Sequence, residues 1–341
     1  MVRMRAGPLS LPFMALITLA MTLTLAGCAS QPETKVAVGV GTAPYVRQQA
    51  KPYAVLYKPY AAMAALAYTD TSYLNERTCP DVAKLRASGT DDDVAAANMV
   101  DDLGRAGWAC RFGHIGPYGC TPGTPRCLEG LEYHVWRRRD CTTAAIAFRG
   151  TDFNAVDDWL TNFRWFLGGR FFDFYDQTQV AVPGIIKALY DEGCRPRTII
   201  ATGHSLGGGL AQHAAYADKR IGYVYAFNPS PVTAFFGIPF PERSAGTEEL
   251  GIDRVYEAGE ILAVPRALAS GVFPSSQCRP RVRIVRFHTV TVPSILERHN
   301  IRYLTEGLTK LAGSATQSDK GRIGFKHARE CDFVQPDKWG E

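Results

Sequence analysis

The sequence predicts an α/β fold in which a mostly parallel sheet is flanked by helices on both faces. Two observations lead to this prediction: short apolar runs alternate with longer helix-forming stretches, and a glycine-rich turn joins one such run directly to a helix. Apolar runs between helices are typical of parallel strands that are buried on both faces. Of the 341 residues, 46% are hydrophobic and 21% are charged, which excludes a disordered chain and allows a sizeable core.

The first half of the chain predicts two helices followed by two strands. Residues 60–68 are rich in alanine, the best helix former, and residues 91–103 form a second helical stretch. Residues 110–127 are rich in glycine, proline and cysteine, so a disulfide-bound loop or insertion is expected there. Apolar runs at 133–136 and 144–148 favour strands because they contain valine, isoleucine and aromatic residues.

The second half of the chain alternates between helices and strands. The expected elements are, in order, helices at 155–166 and 182–190, a strand at 198–201, a helix at 206–217, strands at 221–227, 254–256 and 281–287, and a helix at 294–311. Gly193 is expected to end the helix at 182–190. Ser294 and Glu297 have the spacing of a capping box at the start of the last helix.

The N-terminus has the composition of an export signal. Arg3 and Arg5 precede an uncharged, apolar stretch from Ala6 to Ser30, and small residues follow its most apolar part. A membrane-spanning helix is the alternative, because the uncharged stretch is nearly long enough to cross a bilayer. The positive start and the small residues favour a secretory signal.

The small residues Leu25-Ala26-Gly27-Cys28 resemble the lipoprotein box of bacteria. The resemblance implies cleavage before Cys28, lipidation of its thiol, and membrane anchoring without a spanning helix. Ala29 resembles the residue of lipoproteins that are sorted to the outer membrane. We therefore expect a lipid-anchored protein of the bacterial cell envelope, with an ordinary signal peptide as the alternative.

These features divide the chain into three parts. We expect a signal peptide at 1–27, a lipidated tether at 28–50, and a single folded domain at 51–341 with a Cys-rich insertion at about 76–130. The tether is expected because its residues show no useful periodicity.

The charge content limits the binding partners that we expect, and the cysteine content indicates disulfides. Lys plus Arg number 38 against 33 for Asp plus Glu, and this mild excess is scattered, so no nucleic-acid partner is expected. Nine cysteines become eight once Cys28 is acylated, and an even number in an exported chain favours disulfides. The segment from Cys110 to Cys141 lacks a C-x₂-C pair, so disulfides are favoured over a metal site.

The sharpest motif is Gly203-His204-Ser205-Leu206-Gly207, which lies between the strand at 198–201 and the helix at 206–217. A strand that reverses into a helix at such a turn exposes its serine as a nucleophile, and the flanking glycines let the chain pass closely. The alternative is a serine that only caps the helix. A phosphate-binding loop is not expected, because no Lys-Ser or Lys-Thr follows the glycines.

An oxyanion hole is expected around this serine. One donor is the backbone N–H of Leu206, the residue after the nucleophile. The second donor is expected at Thr151, in the turn after the strand at 144–148, where both the backbone N–H and the hydroxyl could contribute. The alternative is a simple turn in which Asp152 caps the next helix.

The motifs together resemble the class 3 (fungal-type) lipase family of α/β-hydrolases. The resemblance rests on Phe148-Arg149-Gly150-Thr151, on Asp158-Trp159-Leu160 and on the glycine-rich motif around Ser205. Three further features occur in the same order as in that family: Tyr68, residues 227–231 and residues 254–256. The resemblance implies an α/β-hydrolase with a serine–acid–histidine triad that acts on lipid esters, with an oxyanion residue at Thr151.

The resemblance places the acid of the triad after the strand at 254–256. Glu260 matches the position where the family usually has aspartate, and glutamate can orient an imidazole equally well. Glu257 is the first alternative. Asp253 is the last, because it precedes that strand.

The base must follow the acid in the chain order of these enzymes, which leaves three histidines. His299 is favoured because, as in the family, a tyrosine follows it before a terminal helix. His288, at the end of the strand at 281–287, is the alternative base, whereas His327 lies in a basic tail. His204 and His213 are expected to be structural.

The sequence thus predicts a lipase or esterase that uses Ser205, Glu260 and His299 through an acyl-enzyme, with no cofactor and no metal. Its expected partners are a lipid or acyl-ester substrate and the membrane, through Cys28. The alternatives are a phospholipase or acyltransferase with the same residues, and a non-catalytic envelope lipoprotein with a hydrolase-like fold. Aromatic residues at 163–175 and 235–240 are expected to line an acyl pocket, form a lid or, for the first stretch, fill the core.

Overall fold

A nine-stranded sheet forms the centre of the computed structural model, which describes residues 46–116, 118–119, 130–150, 174–231, 233–263, 279–314 and 322–327. The strands are β1 (Val46–Gln49), β2 (Trp108–His114), β3 (Tyr133–Arg138), β4 (Thr143–Phe148), β5 (Thr198–His204), β6 (Ile221–Phe227), β7 (Gly251–Glu257), β8 (Arg281–Phe287) and β9 (Arg322–His327). Their order in the sheet is β1-β9-β8-β7-β6-β5-β4-β3-β2.

The middle of the sheet is parallel and its two edges are antiparallel. Strands β4 to β8 pair in parallel with one another. The pairs β2–β3 and β3–β4 on one side, and β8–β9 and β9–β1 on the other, are antiparallel. The carboxyl ends of the five parallel strands therefore meet at one edge of the sheet, where ligands bind in open α/β sheets.

Helices cover both faces of the sheet, as predicted. They are α1 (Ala50–Leu66), α2 (Val82–Ser88), α3 (Asp91–Arg105), α4 (Phe174–Asp191), α5 (Leu206–Ala217), α6 (Phe240–Thr247) and α7 (Ile301–Gly313). One buried cluster joins α1 and α7 to residues such as Tyr225 and Phe287, and the other joins α4 and α5 to Phe148 and Ile199. The predicted α/β-hydrolase fold is confirmed by this architecture and by the strand–turn–helix around Ser205.

Several predicted boundaries were wrong. Helix α1 begins at Ala50, ten residues before the alanine-rich stretch, and α4 begins at Phe174. The last helix does not begin at Ser294: a short 3₁₀ turn (Glu297–His299) intervenes, and Asn300 caps α7 by accepting from the backbone N–H of Arg302. The predicted helix at 155–166 lies outside the described residues.

The stretch expected to be an insertion partly belongs to the sheet. Helices α2 and α3 and the edge strand β2 all lie within 76–130. Residues 110–114 therefore belong to a strand, and the predicted loop at 110–127 is wrong for these residues. Two disulfides lie within the described residues, Cys79–Cys110 and Cys141–Cys194, with Cα–Cα distances of 5.9 and 6.0 Å. The remaining cysteines, Cys28 among them, lie outside the described residues, as do the predicted signal peptide and most of the tether.

Across the described ranges, each helix is too short or too polar to span a bilayer.

Candidate active site

Ser205 occupies the sharp turn between β5 and α5. Its backbone has φ 55° and ψ −121°, a conformation that is uncommon for a residue with a side chain and is concentrated at functional sites. The turn is held because the Ser205 N–H donates to the carbonyl of Phe227 at 3.0 Å and the Ser205 carbonyl accepts from the N–H of Ser230 at 2.9 Å. The Ser205 side chain makes no capping hydrogen bond to α5, so the alternative of a simple helix cap is wrong.

Two glycines allow the chain to fold back on itself at this turn. A Cβ atom on Gly203 would overlap the carbonyl of Gly207, and one on Gly207 would overlap the carbonyl of Phe148. A Cβ on Gly150 would lie 2.6 Å from the carbonyl oxygen of His204. The end of β4 therefore packs directly against the turn that carries Ser205.

The structure describes one of the two predicted oxyanion donors, Leu206. Leu206 is the first residue of α5, and the first N–H groups of a helix have no intrahelical partner. Thr151 lies outside the described residues. The residue before it, Gly150, is the part of that turn that packs against Gly207.

Glu260 and His299 form a buried hydrogen-bonded pair. His299 Nδ1 lies 2.5 Å from Glu260 Oε2, and the two residues are 2% and 1% exposed. The same carboxylate oxygen accepts from the backbone N–H of Leu262 at 2.9 Å, which fixes the carboxylate. The N–H of Ile261 also donates to the carbonyl of Ile295 at 3.2 Å, so the turn with Glu260 is tied to the loop that leads to His299.

Glu257, the first alternative acid, is buried but directed elsewhere. Its carboxylate accepts from the N–H and the hydroxyl of Thr289, each at 2.9 Å, and from the N–H of Val290 at 3.1 Å. Burial raises the pKa of Glu257 above its usual value, against the opposing effect of these hydrogen bonds. The residue thus fixes the start of the loop that ends in His299.

Asp253, the last alternative acid, lies in the middle of β7 within the core. It forms an ion pair with Arg283, with Nε to Oδ1 at 2.8 Å, and both side chains are almost fully buried. The hydroxyls of Tyr57 and Tyr223 donate to the same carboxylate at 2.7 and 3.1 Å. Its contacts are those of a structural ion pair in the core.

The other histidines lie in different surroundings. His288 is exposed at the end of β8, and the side chain of His327 lies outside the described residues. His213 is 2% exposed, and its Nδ1–H donates to the carbonyl of Thr233 at 3.0 Å. Burial lowers the pKa of His213 to about 4, so it is neutral at physiological pH.

Sequence reasoning missed the contribution of Asn228 and underestimated that of His204. The backbone carbonyl of His299 lies 2.6 Å from His204 Nε2 and 3.3 Å from Asn228 Nδ2. The ring of His299 lies 4.6 Å from that of His204, centre to centre. The backbone of His299 is therefore held against the residue that precedes Ser205. The only sequence signal for Asn228 is its place in Phe227-Asn228-Pro229-Ser230-Pro231.

The two aromatic stretches divide between core and surface. Of the first, Tyr175 is buried against the ring of His213, and residues before Phe174 lie outside the described residues. In the second stretch, Phe236 and Phe240 are 73% and 71% exposed, so these two rings lie at the surface. Phe235 packs on Tyr216, eleven residues along the chain from Ser205, or roughly 16 Å along α5. This surface therefore lies away from the nucleophile.

No three His, Cys, Asp or Glu side chains within the described ranges converge as a metal site would require.

Comparison with known proteins gives one family match. Residues 124–262 match the model of a phospholipase-like family described as a Tle-like phospholipase domain. The matched segment contains Ser205 and Glu260 and ends before His299. No curated protein matches the sequence.

Several solved structures resemble the chain at low sequence identity. Lipase II from Rhizopus niveus is 15% identical and has a TM-score of 0.41, with 71% of this chain and 82% of that one covered. The Lip2 lipase of Yarrowia lipolytica is 14% identical and has a TM-score of 0.44, with 73% of this chain and 85% of that one covered. The triacylglyceride lipase of Rhizomucor miehei is 11% identical and has a TM-score of 0.43, with 83% of this chain and 88% of that one covered.

Proposed function

We propose that the protein is a serine hydrolase that cleaves carboxylic esters of lipids. In this proposal Ser205 is the nucleophile, His299 is the general base, and Glu260 orients His299. The observation that carries the proposal is the buried hydrogen bond between Glu260 and His299 beside the strained turn of Ser205. A serine becomes nucleophilic when a base oriented by a third group can take its proton.

The reaction follows from the chemistry of these groups. Neutral His299 takes the hydroxyl proton of Ser205 as the oxygen attacks the ester carbonyl. The resulting imidazolium is stabilised by Glu260, and it gives the proton to the departing alcohol. Water then attacks the acyl-enzyme by the same route, which releases the fatty acid and restores Ser205.

The negative oxygen of the tetrahedral intermediate needs donors that are in place before the reaction begins. In the proposal these are the backbone N–H of Leu206, at the N-terminus of α5, and Thr151. Loss of one such donor typically costs a factor of about 10² to 10³ in kcat.

We further propose phospholipids as the preferred lipid substrate. The support is the match of residues 124–262 to a phospholipase-like family, because that segment includes the nucleophile and the proposed acid. Triacylglycerols and small esters are the competing substrates. Transfer of the acyl group to an alcohol instead of water would use the same residues.

We also propose that acyl chains on Cys28 anchor the protein in the bacterial envelope, at the outer membrane. The support is the Leu-Ala-Gly-Cys box at 25–28, which follows an apolar stretch with a basic start and precedes Ala29. Cells grown with an alkyne analogue of palmitate are expected to label the full chain but not the Cys28→Ser variant. Equal labelling of both proteins would contradict the proposal.

Turnover of soluble p-nitrophenyl esters and of phospholipid vesicles tests the function. Ser205→Ala and His299→Ala are expected to lose at least about 10³-fold in kcat on both substrates. Ser244→Ala, at an exposed serine of α6, is the matched control and should keep full activity, as should His288→Ala.

The outcomes separate the competing functions. Turnover that persists in Ser205→Ala would contradict the proposed nucleophile. A wild-type protein that binds lipid but turns over neither substrate would favour the non-catalytic envelope lipoprotein. Turnover of the p-nitrophenyl esters without turnover of the phospholipid vesicles would contradict only the proposed substrate.

A further inference from the structure

The histidine in the proposed triad is held by its backbone as well as by its ring. His299 ends the 3₁₀ turn at Glu297–His299, just before the residue that caps α7. Its carbonyl oxygen has two buried side-chain donors, His204 Nε2 at 2.6 Å and Asn228 Nδ2 at 3.3 Å. A carbonyl has two lone pairs, so these two donors can satisfy it fully.

Both donors are themselves rigidly placed. His204 is the last residue of β5 and immediately precedes Ser205, and Asn228 follows the last residue of the neighbouring strand β6. Asn228 has φ 40°, and its side-chain oxygen accepts from the N–H of Glu257 at 2.8 Å while its own N–H donates to the carbonyl of Val255. Asn228 thus joins the ends of β6 and β7 to the turn of His299.

The tautomer of a neutral His204 ring follows from its contacts. Nε2 lies against a carbonyl oxygen, which cannot donate, so Nε2 carries a proton. In the neutral ring Nδ1 is then an acceptor, and it lies 3.1 Å from the hydroxyl of Tyr68. Tyr68 therefore favours the tautomer in which His204 donates to His299.

We propose that His204 and Asn228 act as positioning residues that set the distance between His299 and Ser205. The inference rests on the proposed function. One peptide bond joins Ser205 to His204, and the side chain of His204 is hydrogen-bonded to the carbonyl of His299. A movement of His299 is therefore transmitted directly to Ser205, and the reverse. A misplacement of about 1 Å can lower the rate of an enzyme reaction by about 10²-fold.

The chain offers a matched control for the histidine. His213 lies on α5, eight positions after Ser205, and like His204 it is buried and donates to a backbone carbonyl. Its acceptor is Thr233, not a residue of the proposed triad. Removal of the His213 side chain should therefore remove the same type of bond without moving His299.

Steady-state turnover of a soluble p-nitrophenyl ester by the full-length chain tests the proposal, with the melting temperature measured for each variant. His204→Leu is expected to lower kcat at least about tenfold and to leave KM within about twofold, because the donor to His299 is lost. His204→Gln, which offers an amide donor, should recover part of the lost kcat. His213→Leu should lower the melting temperature without lowering kcat.

A second variant keeps the test independent of His204. Asn228→Asp retains an oxygen for the N–H of Glu257 but loses the donor to His299, so kcat should fall at least about fivefold with little change in KM. The proposal is overturned if kcat of His204→Leu or of Asn228→Asp stays within twofold of the wild type. It is also overturned if kcat of His204→Gln is no higher than that of His204→Leu, or if His213→Leu loses as much kcat as His204→Leu. The proposed function fails separately if Ser205→Ala keeps wild-type turnover.

Discussion

Two buried carboxylates seven residues apart, Asp253 and Glu260, have very different partners. Asp253 lies in the middle of β7 against the guanidinium of Arg283, and Glu260 lies in the turn after β7 against the imidazole of His299. Arginine stays protonated at every accessible pH, whereas histidine changes its charge near neutrality. The first pair is a permanent ion pair of the core, while the second can gain and lose a proton, as the proposed reaction requires.

The two carboxylates differ in their position in the sheet, which separates the structural role of Asp253 from the proposed chemical role of Glu260. The middle of a parallel strand is enclosed by both helical layers, and a charge there needs a permanent counter-charge. The carboxyl ends of the strands meet at one edge, where Ser205 and Glu260 are brought towards the same place. Substitution of each acid in turn, and the pH dependence of stability, test this separation.

Substitution of the acid at the strand end should impair catalysis most. Glu260→Gln retains the shape of the side chain but cannot stabilise an imidazolium and favours the wrong tautomer of His299, so kcat should fall by about 10³ to 10⁴. Turnover of a soluble ester and the melting temperature would be measured together. A kcat within tenfold of the wild type would place the acid elsewhere.

Substitution of the acid in the core should impair stability most. Asp253→Asn leaves the guanidinium of Arg283 buried without its counter-charge, which typically costs about 3 to 5 kcal/mol in the free energy of unfolding. Urea unfolding would measure it, and kcat of the folded protein should be unchanged. Asp191→Asn, which breaks an exposed pair with Lys187, is the matched control and should cost no more than about 0.5 kcal/mol. If Asp253→Asn cost no more than this control, the ion pair would not have the structural role described above.

Glu257 lies between Asp253 and Glu260 in the chain. Its substitution should lower stability less than Asp253→Asn does, and kcat less than Glu260→Gln does. In Glu257→Gln the amide cannot accept all the donors from Thr289 and Val290, and each buried donor left without an acceptor costs about 1 to 3 kcal/mol. We expect a fall in kcat of less than tenfold, because His299 keeps its ring and backbone partners. Unfolding and turnover would be measured on the same sample. A loss of kcat as large as that of Glu260→Gln would make Glu257 the better candidate for the acid.

At neutral pH the smallest predicted effect is that of His213, which appears only as a pH dependence of stability. Burial lowers its pKa from 6.5 to about 4, so between these values the unfolded chain binds a proton that the folded chain does not. The free energy of unfolding should therefore fall as the pH falls from 6.5 to 4, by up to about 1.4 kcal/mol per pH unit for this group. Urea unfolding at a series of pH values should show a shallower dependence in His213→Gln than in the wild type. Identical slopes would contradict the prediction.

The sequence was sufficient for the parts of the fold that depend on local pattern. The turn at Ser205 follows from a buried strand, two glycines and a helix-forming run, and the structure shows that turn. The pair of Glu260 and His299 came from the resemblance to a family, since residues 39 positions apart share no local pattern. The contact between these two side chains is what the structure adds.

The remaining parts depend on contacts between distant segments. Asn228 meets His299 only because β6 and β7 are neighbours and the loop after β8 returns to them, which no single stretch of sequence encodes. The start of α7 was misplaced because the Ser294 and Glu297 pair has the spacing of a capping box, yet the chain there forms a 3₁₀ turn that presents His299. Edge strand β2 was missed because Cys110, Arg111 and Gly113 interrupt its apolar pattern.

The central claim is that Glu260 and His299 activate Ser205. The rate of labelling by a fluorophosphonate, followed by mass spectrometry of the labelled peptide, tests it most directly in the wild type and in Glu260→Gln and Glu257→Gln. We expect a label on Ser205, a labelling rate at least about 100-fold slower in Glu260→Gln, and a rate within tenfold of the wild type in Glu257→Gln. A label on another residue, or an unchanged rate in Glu260→Gln, would contradict it.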